Sequence, residues 1–289
     1  MDKKGIITKG VGGAYVVLAE GEYYTCAARG IFRNRDTTPL VGDSVVIEIT
    51  DKDKKTGTLH TINPRENELR RPPAANIGQV IITISTGEPP FNPGLLDRFL
   101  LLAENEDIPV LICVNKFDIS ASKARFAPYE LAGYPIVYTV APTKRGVDEL
   151  RESMAGKVNL FAGPSGVGKS SLINALMPNL ELETGKISAK LGRGKHTTRH
   201  TELFPLGESP EFGFCFDTPG FTSLDITHIQ KNELAPLFKE FRPFMTECRF
   251  SNCLHNKETE CAVKERVGKG IHQSRYDSYV KLLTLPQKI

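Results

Sequence analysis

The feature of this sequence that most restricts its fold is the run G-P-S-G-V-G-K-S at residues 163–170, which fits the pattern G-x-x-x-x-G-K-[ST]. The apolar segment Val158–Ala162 precedes it, and the helix-forming segment Lys169–Met177 follows it. A glycine-rich loop between a buried strand and a helix cradles phosphate groups with its backbone N–H groups and the N-terminus of the helix. The run therefore predicts a phosphate-binding loop in an α/β sheet.

The residues on both sides of this loop alternate between apolar strands and helices. The predicted strands are Gln79–Ser85, Val110–Val114, Ile136–Val140, Val158–Ala162 and Phe212–Phe216, and the predicted helices are 93–106, Val147–Met154 and Lys169–Met177. Asn92 and Pro93 supply an N-cap and a first helical residue for the first of these helices. Buried strands joined by helices predict a mostly parallel, doubly wound sheet, which we assign to residues 72–224.

Each residue type in the loop suits the binding of a nucleoside triphosphate. Lys169 places a positive charge on the β- and γ-phosphates, and the hydroxyl of Ser170 coordinates Mg²⁺. The predicted nucleotide-binding residues of this loop are Gly163, Pro164, Ser165, Gly166, Val167, Gly168, Lys169, Ser170 and Ser171. The loop by itself does not distinguish ATP from GTP.

The sequence N-K-F-D at residues 115–118 makes that distinction. It follows a predicted strand, at the end of the sheet where α/β proteins bind ligands. Guanine presents two N–H donors side by side, and the carboxylate of Asp118 accepts from both, whereas adenine lacks this pair. Asn115 reaches the other edge of the base or ties its loop to the phosphate loop, and the stem of Lys116 lies over the ring. Together with Phe117, these residues predict a guanine site.

Two further segments suit the γ-phosphate and its metal ion. The sequence D-T-P-G follows the last predicted strand, and we expect its Asp217 on the Mg²⁺ side and the Gly220 N–H at the γ-phosphate. Residues 192–200 are polar, contain glycine and lack acidic side chains. They predict a switch loop in which Thr198 or Thr197 closes on Mg²⁺, and the alternative is a surface loop with incidental threonines.

The order of these motifs and the residue after D-T-P-G are both unusual. N-K-F-D precedes the phosphate loop, the reverse of ordinary small GTPases, so the sequence predicts a circularly permuted P-loop GTPase domain. Ras-like enzymes orient the attacking water with a glutamine after D-x-x-G, and this chain has Phe221 there. We predict that His196 positions the water, with Thr198 and Lys169 as the other catalytic residues. The alternative is that His196 contacts RNA or solvent.

Residues 1–71 carry strand patterns punctuated by glycine turns. The predicted strands are Ala14–Leu18, Tyr23–Ala28, Val41–Ile49 and Thr58–Ile62. Closure into an all-β barrel of about five strands removes exposed edges, and the OB-fold is the oligonucleotide-binding form of such a barrel. Six arginines either contact RNA phosphates or form a solvated face: Arg29, Arg33, Arg35, Arg65, Arg70 and Arg71. The sequence R-P-P at residues 71–73 predicts an extended linker to the next domain.

Residues 225–289 combine helix patterns, at Ile226–Phe241 and Ile271–Leu285, with a cysteine cluster. The cluster has the spacing C-x4-C-x-H-x5-C and consists of Cys248, Cys253, His255 and Cys261. Three thiolates and one imidazole suit a structural Zn²⁺, so we predict a small helical zinc-binding domain with one zinc per chain. Three free thiols beside an unrelated histidine are the alternative.

The composition is that of a globular protein, with a net charge of only +3. No window approaches the ~18 apolar residues of a membrane helix, and the polar N-terminus lacks a secretory core. We therefore expect a cytoplasmic protein that makes no membrane contact, an environment in which structural disulfides are rare. Cys26, Cys113 and Cys215 fall in strand patterns and are expected to be buried, and His272 is expected at the surface.

The motifs together resemble the RsgA family, the bacterial ribosome-dependent, circularly permuted GTPases of small-subunit biogenesis. N-K-F-D, G-P-S-G-V-G-K-S-S, G-K-H-T-T-R, D-T-P-G and the cysteine–histidine cluster carry this resemblance along essentially the whole chain. It implies an OB domain, a GTPase domain and a zinc domain, and binding to the 30S subunit and its 16S rRNA late in assembly, with GTP hydrolysis stimulated there. We expect a monomer. One departure is Thr139-Val140-Ala141, where the family has a Ser-Ala loop that contacts guanine.

Two hypotheses from other classes stay open at this point. The first is a nucleotide-gated scaffold that binds protein partners without RNA. The second is a P-loop kinase or metabolic ATPase whose N-K-x-D is coincidental. Nucleotide competition distinguishes the second from a GTPase, and cosedimentation with separated ribosomal subunits distinguishes the first.

Overall fold

The computed structural model describes residues 2–28, 38–70, 72–178, 201–207, 210–216 and 229–285. Three bodies follow one another along the chain: a closed barrel, a six-stranded sheet flanked by helices, and a small helical tail. Within these ranges, no helix has the length and apolar character that crossing a membrane requires.

The N-terminal body is a closed five-stranded barrel in the order β1-β2-β3-β5-β4. Its strands are β1 (Asp2–Val11), β2 (Ala14–Ala19), β3 (Glu22–Ala28), β4 (Ser44–Asp51) and β5 (Thr56–Ile62). β3 and β5 pair in parallel, and β1 closes the barrel on β4 in antiparallel fashion. The expected all-β barrel is therefore present. Sequence patterns did not assign β1, because most of its residues are exposed or only partly buried and its apolar alternation is weak.

The structure differs from two expectations: the extended linker at residues 71–73, and the RNA-contacting or solvated role of Arg65. The residues beside Arg71 form a hairpin, in which β6 (Glu68–Arg70) pairs with β7 (Pro73–Ala75). Arg65 forks onto the fully buried carboxylate of Asp43, with its Nε 2.7 Å from Oδ1 and one terminal nitrogen 2.8 Å from Oδ2. Arg65 therefore joins the segment after β5 to the segment before β4, and its guanidinium is already engaged and not free for RNA. The side chains of the other five arginines lie outside the described residues.

The central body is a six-stranded sheet in the order β10-β9-β8-β11-β13-β12. Its strands are β8 (Gln79–Ser85), β9 (Val110–Asn115), β10 (Ile136–Tyr138), β11 (Val158–Ala162), β12 (Leu203–Pro205) and β13 (Phe214–Phe216). All neighbours pair in parallel except the edge strand β12. β8 and β9 are buried along their whole length, as the continuous apolar runs predict.

Helices cover this sheet and follow the predicted boundaries closely. They are α1 (Pro93–Asn105), α2 (Ala127–Leu131), α3 (Val147–Met154) and α4 (Lys169–Leu176). Asn92 caps α1 as predicted, because its side chain accepts from the Leu95 N–H at 3.1 Å. α2 was not predicted, since five residues are too few to show a helical period.

The tail contains α5 (Lys231–Leu234), α6 (Arg242–Met245), α7 (Ala262–Glu265) and α8 (Gln273–Leu283). The predicted long helix Ile226–Phe241 is wrong in its described part. α5 ends before Pro236, which lies in a separate 3-10 turn and cannot donate a helical hydrogen bond. His272 is exposed as expected, and its ring accepts from the Ser274 N–H as the N-cap of α8.

Candidate nucleotide and metal sites

The phosphate loop lies between β11 and α4, at the carboxyl end of the central strand. Gly163 has φ +131°, and a Cβ there would come 2.1 Å from the carbonyl oxygen of Thr83 on β8. Gly168 has φ +96°, and a Cβ there would come 2.3 Å from Nδ2 of Asn115. Each position requires glycine for two reasons: its backbone has a positive φ, and a neighbouring strand or loop leaves no room for a Cβ.

Lys169 turns its ammonium group onto its own loop. Its Nζ donates to the carbonyl oxygens of Gly163 and Pro164, both at 2.7 Å. Burial lowers the pKa of Lys169 to about 8. Ser170 and Ser171 follow it, half-buried in the first turn of α4. An anionic phosphate near this ammonium would compensate the charge that burial disfavours.

Asn115 connects the N-K-F-D loop to the phosphate loop. Its Nδ2 donates to the carbonyl oxygen of Val167 at 2.9 Å, and its Oδ1 accepts from the Thr139 hydroxyl at 3.2 Å and from the Ala141 N–H at 3.3 Å. Of the two roles left open for Asn115, the structure shows the tie to the phosphate loop. The Thr139-Val140-Ala141 segment, the departure noted above, supports Asn115 from the other side.

The remaining N-K-F-D residues divide between support and exposure. Lys116 donates from Nζ to the Gly166 carbonyl at 2.8 Å and to the Glu88 carbonyl. Phe117 is buried, and its ring centroid lies 4.5 Å from that of Tyr138. Asp118 is exposed at the open end of the loop, so its carboxylate is accessible to a base.

Several predicted site residues fall outside the described part of the chain. They are His196, Thr197, Thr198, Asp217, Gly220 and Phe221. The structure therefore brings together the phosphate loop and the N-K-F-D residues, and their relation to the γ-phosphate segments stays a prediction.

The structure also shows a cleft of about 440 Å³ beside the phosphate loop that sequence reasoning missed. Pro164 and Val167 form one wall, and the start of α1, from Asn92 to Leu96, forms another. The cleft arises from residues distant in sequence, and the proline-rich approach to α1 was its only sequence signal.

The four predicted metal ligands converge in the tail. Their ligand atoms all lie within 4.8 Å of one another. Nδ1 of His255 is 3.5 Å from Cys248 Sγ and 3.4 Å from Cys261 Sγ, and these two sulfurs are 3.9 Å apart. A tetrahedral zinc with the usual bond lengths has nitrogen–sulfur edges of about 3.5 Å and sulfur–sulfur edges of about 3.8 Å. The positions of His255, Cys248 and Cys261 therefore match three corners of such a site, and Cys253 lies close enough to supply the fourth ligand.

The surroundings of His255 also suit a ligand. Burial lowers the pKa of His255, which favours the neutral ring, the form that binds a metal. The carboxylate of Glu258 shapes the loop by accepting from the Leu254 and Asn256 N–H groups at 2.8 and 2.9 Å. Cys26, Cys113 and Cys215, by contrast, are fully buried in strands, as expected.

The chain matches family models along most of its length. The model described as RsgA GTPase matches residues 62–227, and that of the RsgA N-terminal domain matches residues 4–59. The small ribosomal subunit biogenesis GTPase RsgA of Alkaliphilus metalliredigens is 45% identical over 284 residues, which is 97% of this chain and 96% of that protein.

Two solved structures have the same fold. YloQ, described as a circularly permuted GTPase, has a TM-score of 0.82 and 38% identity, covering 98% of this chain and 94% of its own. YjeQ from Thermotoga maritima has a TM-score of 0.83 and 36% identity, covering 98% of both chains. These similarities cover the barrel, the sheet and the tail together.

Proposed function

This chain belongs to the RsgA family and is a circularly permuted GTPase that hydrolyses GTP to GDP and phosphate; from that premise we propose that it acts on the small ribosomal subunit during late assembly. One observation carries the proposal: the end-to-end match to a relative named for small-subunit biogenesis, at 45% identity over 97% of this chain. The barrel order β1-β2-β3-β5-β4, that of an OB-fold, supports contact with RNA.

We assign GTP binding to the phosphate loop and the N-K-F-D residues. This assignment is supported by the hydrogen bond from the Asn115 side chain to the Val167 carbonyl. The bond joins the segment assigned to the base to the segment assigned to the phosphates. Asp118 accepts from guanine, and the loop N–H groups with Lys169 hold the phosphates. We propose three domains: residues 1–71 for RNA contact, residues 72–224 for GTP binding and hydrolysis, and residues 225–289 for metal binding.

Hydrolysis needs side chains at the γ-phosphate and its metal ion. We assign several of them to the two segments predicted to lie there, residues 192–200 and 217–220. We assign Mg²⁺ binding to Ser170 and Thr198, with Asp217 on the Mg²⁺ side and the Gly220 N–H at the γ-phosphate; a bound ion would neutralise charge on the phosphate oxygens. Lys169 stabilises the same charge. His196 positions the attacking water, because Phe221 has no polar atom to do so.

For the tail we propose one structural zinc, since three thiolates and an imidazole at these separations suit that ion. Zinc would link three segments of the loop, at residues 248, 253–255 and 261. We propose the 30S subunit with its 16S rRNA as the partner. The protein would bind it in the cytoplasm as a monomer.

The test is the GTPase rate with and without purified 30S subunits, with 50S subunits as the matched control. We expect stimulation by 30S subunits and not by 50S subunits. Binding to 30S should require GTP or a non-hydrolysable GTP analogue. It should weaken steeply with added salt, because Lys and Arg displace counterions from rRNA phosphates. Equal rates with both subunits, or equal cosedimentation with GDP and the analogue, would overturn the proposal in favour of a scaffold for other partners.

His196→Ala separates the two roles open to that residue. A catalytic His196 predicts normal GTP-dependent 30S binding with about 10²-fold slower stimulated turnover. If the variant loses binding while its bound fraction hydrolyses GTP normally, His196 is an RNA contact and the ribosome positions the water.

A further inference from the structure

The last helix among the described residues, α8, touches the metal loop at one side and the nucleotide-binding domain at the other. Four residues within five consecutive positions make these contacts: Arg275, Tyr276, Ser278 and Tyr279. Tyr279 is fully buried, and its ring packs against Phe238 and Phe241 at centroid distances of 5.3 and 5.1 Å. α8 therefore has no freedom to move without disturbing the tail core.

Toward the nucleotide-binding domain, Arg275 forms a buried charge cluster. Arg275 and Asp97 of α1 are each 2% exposed, and Glu240 is 7% exposed. The guanidinium donates to the Asp97 carboxylate, and its Nε donates to Glu240 Oε1 at 2.6 Å. It also lies over the ring of Phe238 at 4.7 Å and that of Tyr129, from α2, at 5.3 Å. A guanidinium removed from water in this way is costly to displace, because each partner would be left buried and unpaired.

A second contact from α8 reaches the same carboxylate. The Ser278 hydroxyl donates to Oδ2 of Asp97, while Arg275 occupies Oδ1. Burial raises the pKa of Asp97, and the neighbouring guanidinium opposes that shift. Both carboxylate oxygens of Asp97, in the second turn of α1, are thus held by the tail.

Toward the metal loop, two tyrosines of α8 hold consecutive carbonyl groups. The Tyr279 hydroxyl donates to the Leu254 carbonyl at 2.6 Å, and the Tyr276 hydroxyl donates to the His255 carbonyl at 2.9 Å. His255 is one of the four clustered ligands. The backbone of the metal loop is therefore fixed by the helix that also fixes α1.

The start of α1 borders the cleft beside the phosphate loop. Asn92, Leu95 and Leu96, at the start of α1, line the cleft whose other wall contains Pro164 and Val167. Asp97 is the next residue of α1. A displacement of α1 at Asp97 would therefore move a wall of the cleft beside the phosphate loop.

We propose that α8 couples the metal loop to the nucleotide site, with Arg275 as the residue that positions α1; this rests on the metal binding proposed above. A metal bound by the cysteine cluster would order residues 253–255. The hydrogen bonds from Tyr276 and Tyr279 to this segment would then hold α8 in place. Arg275 and Ser278, through Asp97, would in turn hold α1 in place. Coupling of this kind is reciprocal, so nucleotide binding also tightens metal binding.

The experiment compares the full-length protein loaded with Zn²⁺ and the same protein after chelation. Hydrogen exchange of α1 amides and the Kd of a fluorescent GDP analogue are measured in both forms. We expect chelation to speed exchange in α1 and to raise the Kd about 5-fold or more, a typical coupling between sites. Reloading with Zn²⁺ should restore both values.

Two variants test the route of coupling. Tyr276→Phe with Tyr279→Phe keeps both rings and removes the hydroxyls, and Ser278→Ala keeps α8 and loosens Asp97. Each should still bind one zinc while the chelation effect on the Kd shrinks. Tyr24→Phe is the control, since it removes a hydroxyl that bonds to Glu22 in the barrel, and it should keep the full effect.

Three results would overturn the inference in distinguishable ways. If the wild-type protein takes up no Zn²⁺, the metal assignment is wrong and the coupling falls with it. If zinc binds, and its removal loosens the tail while α1 exchange and the Kd stay unchanged, the metal assignment holds and the coupling is wrong. If the tyrosine and serine variants keep the full chelation effect, α8 is not its route.

Discussion

The side-chain amide of Asn115 donates a 2.9 Å hydrogen bond to the carbonyl oxygen of Val167, across 52 residues of sequence. The contact joins the end of β9 to the phosphate loop after β11, although β8 lies between these strands. The N-K-F-D segment and the phosphate loop are therefore joined into one unit, although N-K-F-D comes first in this chain.

Gly168→Ala should break this unit. The new methyl group would lie 2.3 Å from Asn115 Nδ2 at a residue with φ +96°, so both the hydrogen bond and the backbone must shift. A lost buried hydrogen bond costs about 1–3 kcal/mol, so we expect GDP affinity to fall at least ~5-fold. Fluorescent GDP titration measures it.

Gly133→Ala is the matched control for backbone strain. Gly133 also has positive φ, +82°, but no atom lies within 4 Å of the added methyl group. This variant should lose stability and keep its GDP affinity. If both variants lose affinity equally, the contact with Asn115 is not the cause.

Asp118→Asn should change the preferred base. The carboxylate accepts from two donors of guanine, whereas a carboxamide pairs better with the carbonyl that xanthine has at the amine position. Loss of a charge-assisted pair costs about 2 kcal/mol, so GTP should bind roughly 30-fold more weakly while xanthosine triphosphate improves. Competition binding measures both, and Asp148→Asn, exposed on α3, is the control. Unchanged GTP affinity in Asp118→Asn would show that another group reads the base.

Nucleotide affinity should depend on the protonation of Lys169. Its pKa of about 8 is below the ordinary value of 10.5, so between these values the unfolded chain binds more protons than the nucleotide-free protein. The free protein therefore gains stability from this group as pH rises from 8 to 10.5. Bound phosphates favour the ammonium, so GDP should bind best below pH 8 and about fourfold more weakly at pH 8.5 than at pH 7. Calorimetry at pH 8.5 in buffers of different ionisation enthalpy should show proton uptake on binding, and its absence would contradict the assignment.

Cys253→Ser should release the metal from the tail. A hydroxyl is a poor ligand for zinc, and a structural zinc contributes directly to folding. We expect elemental analysis to give one zinc in the wild-type protein and none in the variant, with faster proteolysis of residues 246–261. Cys215→Ser, at a buried strand cysteine outside the cluster, should keep its zinc. A metal-free wild-type protein with a protease-resistant tail would contradict this prediction.

Local sequence patterns predicted the central domain better than the two ends. Gln79–Ser85, Val147–Met154 and Val158–Ala162 were predicted to the residue, because their burial is continuous or strictly periodic. β1 was missed because its faces are mixed, and the helix predicted over Ile226–Phe241 failed at Pro236. Short elements held by long-range contacts leave little local pattern to detect.

The sequence by itself determined the chemistry of the sites. Glycine, lysine, serine and aspartate at fixed spacing predict a guanine-nucleotide site, and three cysteines with one histidine predict a metal site, because these predictions depend on residue type within a short segment.

Tertiary structure alone decided how the sites are connected. Nothing local indicates that Asn115 bonds to Val167, that Arg65 is committed to Asp43, or that Arg275 holds Asp97. Each of these pairs is formed by the packing of elements far apart in the chain, and a buried polar group takes whichever partner that packing brings within reach.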